Sequence, residues 1–296
     1  GLTILKACKE RSPTTEVILI TAHGSVDTAV GAIKLGAYDY ITKPFQMDEL
    51  LLIVERVGKI IGLRRENREL KEVLEDRFSF GGIHGRNHHM RALLDKIKLI
   101  AATDSPVSLV GERGTGKELV AHTIHLNSPR RDQPLIKLCC ADLPDHVLEA
   151  ELFGHEKGAL AGASRQRRGR VELAHKGTLL LDDVEALSPI LQAKLWRVLQ
   201  ARKFERVGGR ESIELDVRIL CASRQDLKEA VGQGRFRQDL CEWLSAVQIM
   251  VPPLRERRED VLVIAEHVLE VTSERLNRSL KGFSQPSCDV LLHYSF

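Results

Sequence analysis

Apolar positions recur every three to four residues from Leu2 to Arg11 and then fuse into a continuous run, Val17 to Ile20. The first pattern predicts an amphipathic helix and the second a fully buried parallel strand. A polar turn of Ala22, His23, Gly24 and Ser25 follows, then a helical pattern from about Val26 to Leu35, a stop at Gly36, and a strand from Tyr38 to Thr42 closed by Pro44. This β-α-β unit continues into a helix from Met47. Two parallel strands leave sheet faces and edges to be covered, so further strands and helices are expected before Gly1. At the other end, Leu291 to Phe296 stops in mid-pattern without a cap. Between the halves, Val57 to Phe78 is charged and helical, with Ile60, Leu63, Asn67, Leu70 and Leu74 at alternating spacings of three and four. Asn67 takes a position where a buried Asn sets the register of a two-stranded coil. With fewer than three heptads, the stretch fits both a dimer seam and a linker helix packing on its own domain.

The middle of the chain carries the chemistry. Pro106 to Val110 reads as an apolar strand, and Gly111-Glu112-Arg113-Gly114-Thr115-Gly116-Lys117-Glu118 leads from it into a helix through Leu119, Val120, Ile124 and His125. A glycine-rich turn between strand and helix lets backbone N–H groups approach phosphates, adds the helix N-terminus, and sends Lys117 to the β and γ oxygens. Glu118 stands where the strict pattern has Ser or Thr for magnesium. Some sixty residues on, Gly177 to Asp183 forms an apolar strand ending in two carboxylates. A nucleotide site needs such a pair: Asp182 to hold Mg2+ and Asp183 to orient the attacking water. Together they predict an α/β P-loop fold with a nucleotide site.

At 296 residues the chain is about twice the usual domain length, and 43% hydrophobic with 29% charged residues is ordinary for a globular protein. A net charge of +3 on 44 basic and 41 acidic residues gives no electrostatic reason to wrap nucleic acid. No apolar run approaches the ~18 residues of a membrane span, and the first residues lack a signal-peptide layout, so a cytoplasmic protein with no membrane partner is expected. Six cysteines without a CxxC pair point to reduced thiols. His155-Glu156 is no zincin motif, because Ala159 occupies the partner position. His84, His88 and His89 read as a loop and helix start rather than a ligand set.

Ordered motifs then carry a resemblance. Glu151 to Ala163, Phe204-Glu205-Arg206-Val207-Gly208-Gly209, Phe236 to Leu240 and Pro252 to Asp260 are similar to signature segments of the sigma-54-dependent transcriptional activators, the NtrC-like AAA+ response regulators. Glu118 is itself usual there. The resemblance implies a three-layer AAA+ core with a parallel sheet over residues 79–253 and the start of its helical lid over 254–296. Residues 1–56 resemble the C-terminal half of a flavodoxin-like receiver, and residues 57–78 are the linker helix. Gly111, Gly114, Thr115, Gly116, Lys117, Glu118 and Asp182 would bind ATP with Mg2+, and Gly158, Ala159, Leu160, Ala161, Gly162 and Ala163 would form the sigma-factor loop. Thr21 and Lys43 match the receiver's switch hydroxyl and phosphate-contacting lysine, and Tyr40 its switch aromatic. The phosphorylated Asp would lie before Gly1, so residues 1–56 cannot accept the phosphoryl group. The implied partners are RNA polymerase with sigma-54, further copies from dimer to ring, a sensor histidine kinase, and promoter DNA through a helix-turn-helix domain after Phe296.

Departures from the family pattern cluster on one reaction. Leu160 and Ala161 replace a Phe and a Thr, keeping an apolar knob but losing an aromatic face and a hydroxyl. Asp183 replaces a Glu, with a side chain shorter by roughly one 1.5 Å bond. Cys139 replaces the Asn that holds the acid, and Arg224 an Asn that reports on the γ-phosphate. Of two candidate arginine fingers Arg237 is kept, while the position six residues on is Trp243, which cannot replace a guanidinium charge; Arg235 is a substitute candidate. The expected function is an ATP-binding transcriptional regulator with impaired hydrolysis and sigma-54 coupling, and Asp183 and Arg237 are its candidate catalytic residues. The alternative is a competent ATPase that remodels sigma-54 polymerase to open promoter DNA. An unrelated P-loop GTPase fits poorly, because the chain has no Asn-Lys-x-Asp guanine motif.

Overall fold

The computed structural model describes residues 1–22, 26–78, 88–160 and 163–296, with the backbone alone for 26–28, 67, 68, 70–78, 88, 89 and 91. The chain divides into two units, Gly1–Leu74 and Glu75–Phe296. In the first, α1 (Leu2–Arg11) precedes β1 (Ile18–Thr21), α2 (Val26–Lys34), β2 (Asp39–Thr42) and α3 (Met47–Phe78). Strands β1 and β2 pair in parallel, from Ile18 opposite Asp39 to Thr21 opposite Thr42. Leu5 of α1 and Ala32 of α2 are buried with Ala37 in a small core beside Val17 and Leu19. The strand expected to be fully buried is not: it starts one residue later, and Ile20 is 44% exposed. Among the described residues β2 is its one paired neighbour, so burial on both faces is incomplete. The helix from Met47 and the linker segment form one element, α3, which runs unbroken for 32 residues. Ile60 is half-buried and Leu63 exposed, while the side chains of Asn67, Leu70 and Leu74 lie outside the described residues.

In the second unit α4 (His88–Ala101) leads to β3 (Val107–Val110), α5 (Lys117–Leu126), β4 (Leu135–Cys139) and α6 (Asp145–Phe153). A ribbon of β5 (Gly154–His155) and β6 (Arg167–Arg168), the single turn α7 (Arg170–Leu173), β7 (Thr178–Asp182) and α8 (Pro189–Ala201) come next. A second ribbon, β8 (Lys203–Phe204) with β9 (Ile213–Glu214), precedes β10 (Arg218–Ser223), α9 (Leu227–Gly232), α10 (Gln238–Leu244) and β11 (Val247–Met250). Helices α11 (Val261–Arg275) and α12 (Gln285–His293) complete the chain. Five parallel strands form one sheet in the order β11-β3-β10-β7-β4. Separate apolar clusters, one with Leu148, Phe153, Leu195 and Leu240 and the other with Met90, Ile97, Val120 and Ile124, include alternate residues of the same strands. Such two-sided cover is why β3, β7 and β10 read as near-continuous apolar runs. The fold is therefore the expected three-layer P-loop α/β architecture. Because all five strands are parallel, the segments after β3, β7 and β10 emerge at one end of the sheet. Among the described residues no helix is long and apolar enough to cross a membrane.

Two buried polar side chains brace this unit. Arg218, 1% exposed on the central strand β10, donates to the carbonyls of Ala101 (3.1 Å) and Ile100 (2.9 Å), closing the C-terminus of α4. His125 in α5 lies 2.9 Å from Thr178 Oγ1 through Nδ1 and 3.1 Å from the Gln133 carbonyl through Nε2. A carbonyl only accepts, so Nε2 carries the proton and Nδ1 accepts from the hydroxyl. Burial lowers the His125 pKa from 6.5 to about 4. Between those values the unfolded chain holds a proton that the folded chain does not, so stability falls as pH drops through that window. From pH 7 to pH 4 the wild type is expected to lose about 3 kcal/mol more unfolding free energy than His125→Gln in urea titrations. Parallel pH profiles for the two proteins would refute this role.

Candidate nucleotide site

Strand β3 runs directly into the glycine-rich loop. Gly111 donates its N–H to the Ser223 carbonyl at 3.1 Å, and a Cβ there would sit 2.6 Å from the Val251 carbonyl oxygen, so no larger residue fits. Gly114 and Gly116 adopt left-handed φ values of 83° and 98°, which glycine takes without steric cost. Lys117 Nζ donates to the carbonyls of Gly111 (2.7 Å) and Glu112 (3.0 Å), folding back across the loop. Burial pushes the Lys117 pKa down against the attraction of Asp182 and Asp183. The Thr115 hydroxyl donates to the Glu112 carbonyl at 2.9 Å. Residues ahead of α11 brace the same loop: Arg257 donates to the Thr115 carbonyl at 2.8 Å, and Arg255 forks the Glu112 carboxylate. The loop is thus preorganised, with the lysine on carbonyl oxygens that phosphate oxygens can replace.

A cavity of about 490 Å3 beside this loop is lined by Lys117, Glu118, Lys137, Cys139, Asp182, Asp183 and Arg224, among others. Lys137 Nζ lies 2.8 Å from Glu118 Oε2 and 3.1 Å from Asp182 Oδ2. Two carboxylates therefore converge on a single cationic position. Magnesium is commonly held by one or two carboxylates together with substrate phosphates, so this donor set fits it. Asp183 follows with a left-handed φ of 51°, uncommon for a residue with a side chain. Its carboxylate is forked by Arg224, with Nε 2.9 Å from Oδ1 and Nη2 on Oδ2, and that guanidinium holds the Asp183 carboxyl below the usual carboxylate range. Cys139 is opposite Asp182 in the β4–β7 register, and burial pushes its thiol pKa up. The sequence offered no pointer to Lys137 beyond its place two residues before Cys139, on the same face of β4.

Residues 83–250 match the Sigma-54 interaction domain, and residues 1–55 match the Response regulator receiver domain. The chain belongs to the sigma-54 interaction domain family. It is 42% identical over 296 residues to the regulatory protein AtoC of Escherichia coli K12, covering 100% of this chain and 64% of AtoC. The transcriptional regulatory protein ZraR of Klebsiella oxytoca is 43% identical over 296 residues, covering 100% of this chain and 66% of ZraR. The chain thus spans about two thirds of the length of these relatives. Among solved structures, NtrX from Brucella abortus in complex with ATP is 35% identical with a TM-score of 0.73, covering 100% of this chain and 63% of NtrX. The same protein in complex with ADP also gives a TM-score of 0.73, over 65% of its length.

In this sigma-54 interaction domain the loop after β5 is tied down at its base. Arg206 forks Glu172 at 2.9 and 3.0 Å and also donates to Glu156 Oε1 at 2.9 Å. Gly158, with φ 80°, donates to the Ala163 carbonyl, and Ala163 to that of Leu160, at 2.9 and 3.0 Å. Ala159 packs against the second ribbon's turn, where a Cβ on Gly208 would come within 2.6 Å of its own. Ala161 and Gly162 lie outside the described residues. Arg237 donates from Nε to Asp239 Oδ1 at 3.0 Å and from Nη2 to Oδ2 at 2.6 Å, within its own segment. Arg235 turns to Gln233, and Trp243 is half-buried against the core around Leu240. Within the first unit, Lys43 donates its N–H to the Thr21 carbonyl at 2.7 Å, and Tyr40 is opposite Leu19.

Proposed function

We propose that the chain is an ATP-binding AAA+ regulator of the sigma-54-activator type whose ATP hydrolysis and sigma-54 coupling are impaired. The observation that carries this reading is the Asp183 carboxylate, placed beside the phosphate loop and engaged by the Arg224 fork. An acid bound in this way is not free to orient water, and its side chain is also shorter than the Glu implied by the family pattern. ATP binding is supported by the preorganised loop, by Lys117, and by the ATP complex of NtrX at 35% identity. Glu118 and Asp182 are the residues that would hold Mg2+, which supplies charge neutralisation of the triphosphate when bound. Arg237 would reach a neighbouring copy in a ring, with no second guanidinium at Trp243. Leu160 and Ala161 weaken contact with sigma-54 in RNA polymerase. A sensor kinase, promoter DNA and a cytoplasmic setting complete the reading.

The intact loop and the exposed Arg237 favour a second reading, a competent ATPase that remodels sigma-54 polymerase. Phosphate release at saturating ATP and magnesium separates the two. Turnover well below 1 s⁻¹ is expected, whereas about 1 s⁻¹ or faster, an ordinary enzyme rate, overturns the impaired reading. Absence of ATP binding overturns both.

A further inference from the structure

Glu118 in the first turn of α5 and Asp182 at the end of β7 each turn one carboxylate oxygen to the Lys137 ammonium. The other Asp182 oxygen, Oδ1, accepts the Asp183 N–H at 3.1 Å, which aims Oδ2 at the lysine. Two neighbouring cations are engaged elsewhere, Lys117 on the Gly111 and Glu112 carbonyls and Arg224 on Asp183. Lys137 thus takes up the same pair of acids that would hold Mg2+. It stands on β4, an end strand of the sheet, and its side chain is 36% exposed, so the ammonium can turn out to solvent on its flexible stem while the backbone stays paired to β7. An ammonium has three donors. Two face the acids, which leaves the third for a phosphate oxygen in the same cavity. Without a cation on them, two carboxylates beside the loop repel a polyphosphate, and a cavity screens that repulsion poorly.

We infer that Lys137 is a tethered cation of the nucleotide site: it neutralises the Glu118 and Asp182 pair when no Mg2+ is bound, so that nucleotide binds without the metal, and it yields the pair when the metal arrives with the phosphates. Lys137 is a binding residue in the first state and a bystander in the second. The dependence of nucleotide affinity on magnesium is therefore set by this side chain. The inference rests on the nucleotide-binding reading above, and the experiment separates the two.

A fluorescent non-hydrolysable ATP analogue is titrated with the 296-residue chain, once in excess EDTA and once in excess magnesium, and the ratio of the two dissociation constants is read. The wild type is expected to bind in both buffers. Lys137→Met, which keeps the stem and removes the charge, is expected to weaken binding in EDTA roughly tenfold, the effect of one charge-assisted contact, and to leave binding in magnesium unchanged. Lys137→Gln should repeat this result, and it stands in should Lys137→Met not fold. Lys137→Arg, which restores a cation, should return the ratio close to the wild-type value. If the ratio is the same in wild type and Lys137→Met, if Lys137→Arg behaves as Lys137→Met does, or if the wild type binds only in magnesium, the tethered-cation role is refuted alone. If the wild type binds the analogue in neither buffer, the nucleotide-binding reading falls with it.

Discussion

A chain carrying Asp183→Glu together with Trp243→Arg is expected to hydrolyse ATP on the order of 10⁵-fold faster than the parent chain, measured as phosphate release at saturating ATP and magnesium. The larger part comes from position 243, since an arginine finger contributes about 10³ to 10⁵ in rate where it has been measured. The smaller part comes from the acid. One added bond moves the carboxylate by roughly 1.5 Å, and a misplacement of about 1 Å near the reacting atoms costs on the order of a hundredfold. Trp243 is only partly buried against the core, and the aliphatic stem of an arginine can cover part of the same apolar surface, so the variant should fold. Each single substitution should give a smaller gain than the pair. An unchanged rate in the double variant would place the defect elsewhere than at these two positions.

Arg218→Ala is expected to lower the unfolding free energy by about 3 to 5 kcal/mol, from the combined loss of packing volume and of donors to buried carbonyls. Arg218 sits on the central strand, where among the described residues no carboxylate is hydrogen-bonded to it, and its guanidinium is spent on the last turn of α4. Arg218→Met should cost less than half as much, because it refills most of the volume and removes the desolvated charge while leaving the two carbonyls without their donor. Urea unfolding followed by circular dichroism gives both numbers. Equal losses for Ala and Met would mean that the capping bonds, rather than the volume, carry the whole effect. A loss under about 1 kcal/mol for Ala would remove Arg218 from the stabilising set.

Local patterning was enough to place the elements that flank the phosphate-binding turn in the second unit. The strand read at Pro106 to Val110 is observed at Val107–Val110, and the apolar run from Gly177 becomes Thr178–Asp182. Glycines at 114 and 116 meet a left-handed backbone. In the first unit the same reasoning found α1 at Leu2–Arg11 but overstated the burial of β1, because an apolar run reports a strand's preference and not how many neighbours it has. The helix from Met47 and the charged stretch from Val57 are one continuous helix, since a helix continues wherever nothing interrupts its hydrogen bonds.

Sequence alone therefore determined the strands and helices around the phosphate-binding turn, where that turn lies, and that Asp182 and Asp183 end an apolar strand. These are properties of neighbours in the chain, set by backbone freedom at glycine, by periodic burial and by the chemistry of short motifs. Only the tertiary structure decided which charges meet: Lys137 between Glu118 and Asp182, Arg224 on Asp183, Arg206 on Glu156 and Glu172, and Arg218 on the end of α4. Partners separated by 19 to 118 residues are brought together by the strand order and by parallel strands ending on one side. A side chain's own identity specifies its charge and reach, whereas its partner depends on which strand lies next to it, and that is a property of the assembled sheet.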